Sequence, residues 1–70
     1  MITSLASLAR RADTFETYVT EALAEHRAAP DALTRRHVRH LVRELRGARR
    51  AYHEAFMRRC GQAAAVRRAA

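Results

Sequence analysis

His37, His40 and Glu44 are the residues whose types and spacing come nearest to chemistry. Three and four apart on a helix, they share one flank. Imidazole and carboxylate at such spacings can converge on a metal, as Glu-x-x-His pairs do in carboxylate-bridged helix bundles. Such a centre needs further carboxylates from other helices and a supporting outer shell, and nothing in the chain specifies them. Cys60 is the other potential reagent. A cysteine nucleophile requires an activating base and a cleft, and a pair of helices offers no cleft, so Cys60 reads as a small apolar contact. His26 falls in an apolar register and reads as a helix-end or interface residue, favourable to the helix dipole when protonated. There is no glycine-rich phosphate loop, no serine or cysteine triad pattern, and no cysteine–histidine set with zinc spacing. The chain therefore reads as a non-enzyme without catalytic residues, cofactor or metal.

Charge is the stronger signal. The net charge is +7, and all fourteen basic residues are arginine. From Arg10 to Arg27 there are three arginines and four acids, a net of −1. From Asp31 to Cys60 there are nine arginines and three acids, a net of +6, and Arg67 and Arg68 add two more. At about 100° per residue, Arg35, Arg39, Arg43, Arg46 and Arg50 form one stripe. Two readings stand side by side. The stripe is a phosphate-tracking ridge suited to nucleic acid. Alternatively, it is a solvated helix face partly neutralised by Asp13, Glu16, Glu21 and Glu25 of a neighbouring helix. No helix-turn-helix, zinc finger or RNA-binding aromatic motif is present. The aromatic residues Phe15, Tyr18, Tyr52 and Phe56 lie on apolar stripes and read as core, with Tyr18 and Tyr52 near a rim.

The elements that must position these groups are helices. Alanine, leucine, arginine and glutamate dominate, all of them helix formers, and two glycines and one proline leave little punctuation for strands. A first helix is expected over about residues 4–28, capped by Thr3 or Ser4. Its apolar positions, Leu5, Leu8, Ala12, Phe15, Val19, Ala22 and Leu23, alternate by three and four as in a heptad pattern. Pro30 breaks the chain. Proline disfavours helix in the residue before it and is at home in the first turn of a helix, so Pro30 is expected to end the first helix and open the second. The second helix is expected over about 31–60, with Leu33, Val38, Leu41, Val42, Leu45, Ala48, Tyr52, Ala55 and Phe56 on one face. Gly61 is placed as its C-cap, Gly47 is tolerated or permits close packing, and residues 62–70 form a basic, alanine-rich tail.

The expected fold class is all-α: one antiparallel, coiled-coil-like two-helix hairpin over residues 1–61. Seventy residues rarely bury enough apolar surface to be stable alone. A single cysteine provides no internal disulfide. Completion by a partner, or by dimerisation into a four-helix bundle, is the expected remedy. The anchors are Leu8, Phe15, Val19, Leu41, Leu45, Tyr52 and Phe56. No apolar run is long enough to cross a membrane, and Met1 to Leu8 lacks the pattern of a signal peptide. A lone cysteine fits a reducing cytoplasm.

The order of features resembles the small co-chaperones of type III secretion needle subunits. The matching residues, over about 1–60, are Leu5 and Leu8 followed by Arg10, the turn at Pro30, the helix of Leu41, Leu45, Ala48 and Ala51, and the closing segment Tyr52-His53-Glu54-Ala55-Phe56 to Arg58-Arg59. The resemblance implies a cytoplasmic hairpin that pairs through its apolar faces with a larger chaperone and keeps a secreted subunit from polymerising. Three kinds of partner thus follow: a helical protein or a second copy, nucleic acid on the arginine stripe, and, ranking below both, an anionic membrane surface.

Overall fold

The computed structural model describes residues 4–69, two α-helices joined by a three-residue turn. α1 spans Leu5–Ala28 and α2 spans Ala32–Ala69. They pack antiparallel along their length, as expected of the hairpin.

Local hydrogen bonds set the start of α1. Ser4 is its N-cap, extended in backbone, with its Oγ accepting the Ser7 amide N–H at 3.1 Å. Thr3, the other candidate cap, lies outside the described residues, as does Ala70. The exposed face of α1 carries Thr14, Thr17 and Thr20, β-branched residues that are indifferent helix formers. Each donates its hydroxyl to the carbonyl four residues earlier, at Arg10, Asp13 and Glu16. Ala29 closes α1 with its N–H on the Glu25 carbonyl at 2.9 Å.

Pro30 ends α1 but does not open α2, a correction to the expectation above. The opening residue is Asp31. Its carboxylate accepts the Thr34 amide N–H at 2.7 Å, its carbonyl accepts the Arg35 N–H at 3.1 Å, and its own N–H donates to Thr34 Oγ1 at 3.2 Å. This reciprocal cap satisfies donors that a helix start otherwise leaves unpaired. Proline therefore precedes the cap, where its missing N–H costs nothing.

The far end of α2 also departs from expectation. Gly61 is not a C-cap, and the helix runs on to Ala69. No glycine has positive φ, so the left-handed geometry that makes glycine valuable at a helix end does not arise. Gln62 and Ala63–Ala65 are good helix formers and carry the helix past the glycine. A Cβ at Gly47 or Gly61 would meet nothing within 4 Å, so neither glycine serves close packing within the hairpin.

The core is thin. Among the described residues only Ala22, Leu41, Leu45 and Ala48 are buried, and no large side chain is fully enclosed. The molecule is a rod of 59 × 20 × 15 Å with a radius of gyration of 17.0 Å, against about 11 Å for a compact chain of this length. α2 has 38 residues against 24 in α1. Its last turns, carrying Arg58, Arg59, Val66, Arg67 and Arg68, therefore project beyond Leu5.

Candidate interaction surfaces

At the turn end, His26 Nδ1 lies 2.7 Å from Thr34 Oγ1, tying the last turn of α1 to the first turn of α2. The Thr34 hydroxyl also reaches the Ala29 and Asp31 carbonyls at 3.3 and 3.1 Å. It has one proton to give. When Nδ1 carries a proton, His26 donates to Thr34 and the hydroxyl proton goes to a carbonyl. When Nδ1 is bare, Thr34 donates to the ring. His26 is thus the interface residue of the turn. The Thr34 amide N–H holds the Asp31 carboxyl below its usual range. Desolvation opposes this as the next largest effect, and smaller lowering contributions come from the Thr34 hydroxyl, the Leu33 amide and the charge of His26.

The expected anchors divide into two sets. Leu41 and Leu45 are buried against α1 and belong to the hairpin's own core. Leu8, Phe15, Val19 and Tyr52 are half-buried, and Phe56 is 42% exposed. The aromatics are therefore not core, contrary to the first reading. They form two pairs. Phe15 and Tyr18 meet edge to face at 6.0 Å, with the Arg11 guanidinium 5.8 Å from the Phe15 centroid. Tyr52 and Phe56 stack at 6.1 Å.

These pairs mark the two long edges of the rod. One edge carries Tyr18, 46% exposed, over a shallow groove shared by Ala22, Glu25, His37 and Leu41. Further along the same edge, Arg11, Arg43, Glu44, Gly47, Ala48 and Ala51 line a second depression with small residues at its floor. The opposite edge carries Val38, Val42 and Phe56 and is crossed by the ion pair of Glu16 with Arg49 at 3.6 Å. Leu33, Met57 and Val66 are also exposed, and none of them was among the expected anchors. Leu33 and Val66 belong to the apolar phase but sit at the ends of α2, where α1 provides no cover.

Arg35, Arg39, Arg43, Arg46 and Arg50 are all exposed, on the side of α2 facing away from α1. The expected neutralisation by α1 is nearly absent. Among the described residues the one ion pair is Glu16–Arg49, whose side chains stay 62% and 59% exposed, and Arg49 is not a member of the stripe. Asp13 and Glu21 lie with the threonines on the far side of α1, across the rod from the stripe.

Elsewhere the surface holds little chemistry. Cys60 is exposed and unpaired, not the apolar contact anticipated. No three His, Cys, Asp or Glu side chains gather as a metal site among the described residues. No described helix is long and apolar enough to cross a membrane. No protein-family model, curated protein or solved structure matches the chain.

Proposed function

We propose that this hairpin is a helical interaction module that buries its two apolar edges against the helices of a partner, whether another protein or a second copy of itself. The observation that carries this reading is the surface left uncovered. The chain exposes 5885 Å², whereas a compact monomer of 8.0 kDa exposes about 4,500 Å². The excess, about 1,400 Å², exceeds the roughly 800 Å² that each side contributes to a standard specific interface. Phe15, Tyr18, Tyr52 and Phe56 are the natural anchors, because partly exposed aromatics dominate binding energy where they insert into a partner. Leu8 and Val19 line the seam between the edges. Helix-in-groove packing is the mode that suits two parallel apolar edges.

The secretion co-chaperone role implied by the resemblance is the specific form of this reading. In it, the hairpin works in the cytoplasm, pairs with a larger chaperone and keeps an aggregation-prone secreted subunit apart. The test is light scattering and thermal unfolding over a hundredfold range of protein concentration, alone and after co-expression with candidate helical partners from neighbouring genes. The expected result is a dimer, or a monomer of low melting temperature that a partner raises. A strictly monomeric, concentration-independent and stable protein, unaffected by any helical partner, would overturn it.

A further inference from the structure

We infer that the outer face of α2 is a binding surface for the sugar–phosphate backbone of duplex DNA. The inference uses the side of α2 turned away from α1, where Arg39, Arg43 and Arg46 border the groove of Val38 and Val42 and Arg43 also borders the depression around Gly47.

Arg35, Arg39, Arg43, Arg46 and Arg50 occupy this face over sixteen residues, a rise of about 22 Å from first to last at 1.5 Å per residue. They fall within a sector of about 80° on the wheel, flanked by Arg36 and Arg49. All are exposed, and none of the five is ion-paired among the described residues. α2 as a whole holds eleven arginines against Glu44 and Glu54. A rigid row of guanidinium forks, each able to take two phosphate oxygens, is suited to a repeating phosphate array.

Three observations select duplex DNA among polyanions. The four aromatic residues all lie off this face, so it has no platform for stacking unpaired bases, which single-strand binders use. Along the stretch that carries the stripe, the apolar face of α2 is packed against α1 through Leu41, Leu45 and Ala48, so that stretch cannot bury the face in a membrane interface as amphipathic surface helices do. The face is also a bare helix side, about 10–12 Å across with its side chains, and the B-form major groove is about 12 Å wide. The deep, narrow major groove of A-form RNA does not admit it. Arginines on both walls of the helix would reach the phosphates that rim the groove.

The test is fluorescence anisotropy of the full chain with a labelled 20-base-pair DNA duplex between 50 and 200 mM KCl. Parallel arms use the same sequence as duplex RNA, as single-stranded DNA, and vesicles containing 30% anionic lipid. Five phosphate contacts give a slope of log affinity against log salt of about −4.5, a loss of several hundredfold across that range. The triple variant Arg39→Gln, Arg43→Gln, Arg46→Gln brings the slope to about −2. The matching triple variant on α1, Arg10→Gln, Arg11→Gln, Arg27→Gln, removes the same charge and leaves the slope near its original value. Circular dichroism checks that both variants keep their helices. If the α2 variant does not, the single variant Arg43→Gln, expected to bring the slope to about −3.6, replaces it. A slope shallower than −2 in the unaltered protein would overturn the inference. So would equal losses from the two Gln variants, or RNA, single strands or vesicles bound as tightly as duplex DNA.

Discussion

α1 and α2 are built from nearly the same residue types, yet they reach helicity by different means. α1 is short, carries a net charge of −1, and has its exposed face tied down by its own hydrogen bonds. Ser4 caps it and three threonines fold their hydroxyls back onto the backbone. α2 is longer, holds nearly all the positive charge, and has an outer face with no internal partner. Its order comes from one strong cap at Asp31 and from the alanine, leucine and arginine content of the rest. The difference shows that a polar helix face can be self-satisfied or open. Both faces are exposed; the threonine hydroxyl donors of the first are spent on its own backbone, while the guanidinium donors of the second remain for another molecule.

The comparison can be broken most forcefully at the shared core. Leu45→Ala removes one of two buried leucines and should cost about 2–3 kcal/mol, enough in so small a hairpin to unfold much of the isolated chain in a urea titration. Phe56→Ala, at the edge, should leave the isolated chain's unfolding midpoint nearly in place while weakening self-association or partner binding at least tenfold. Equal effects of both changes on the lone protein would erase the division between core and edge. Gly47→Ala should stabilise α2 by about 1 kcal/mol, because the added methyl meets open space within the chain. If the small-residue depression around Gly47 receives a partner side chain, the same change should weaken the complex while strengthening the monomer. Ser4→Ala should cost α1 about 1 kcal/mol, read as lost helicity by circular dichroism.

The smallest expected effect is on pH dependence. The Asp31 carboxyl is held below its ordinary pKa in the folded chain. The unfolded chain therefore binds its proton first as pH falls. The cap's contribution is complete above the ordinary carboxylate range and is lost as pH drops through the depressed folded value. Asp31→Asn keeps a capping acceptor without the charge and should flatten this acid limb of the melting curve. A limb unchanged in that variant would assign it to other carboxylates.

Much of the fold was legible because helix periodicity and the Pro30 break are local signals. The spacing of Leu41, Leu45 and Ala48 declares an apolar face whatever covers it. That is also why the site was only half legible. Periodicity identifies which residues turn inward, not how wide a strip one neighbouring helix covers. Leu41 and Leu45 were read as partner anchors although α1 covers them, and Leu33, Met57 and Val66 were passed over. Gly61 misled for a different reason. Glycine marks a helix end only where the backbone takes positive φ, and the alanines after it hold the backbone helical instead. Asp31 carried no capping role in the sequence, where Pro30 was expected to open the second helix. Its role as cap depends on Thr34, three residues on, a pairing that the motif of serine or threonine followed by glutamate does not describe.

The hydrogen bonds joining His26, Asp31 and Thr34 have a mechanical consequence. α2 is long enough for α1 to lie against it at several offsets. Its inner surface, rich in alanine and lacking any large enclosed side chain, discriminates weakly among them. Three residues of turn, pinned at both ends, remove that freedom. The alignment of the rod is thus held at one extremity, like a ruler clamped at zero, and each side chain's height along the edges is counted from there. A chain cut between Ala29 and Asp31 would keep its helices but lose the clamp. Its two halves would slide among offsets of similar energy and blur the edge that the intact hairpin presents as one pattern.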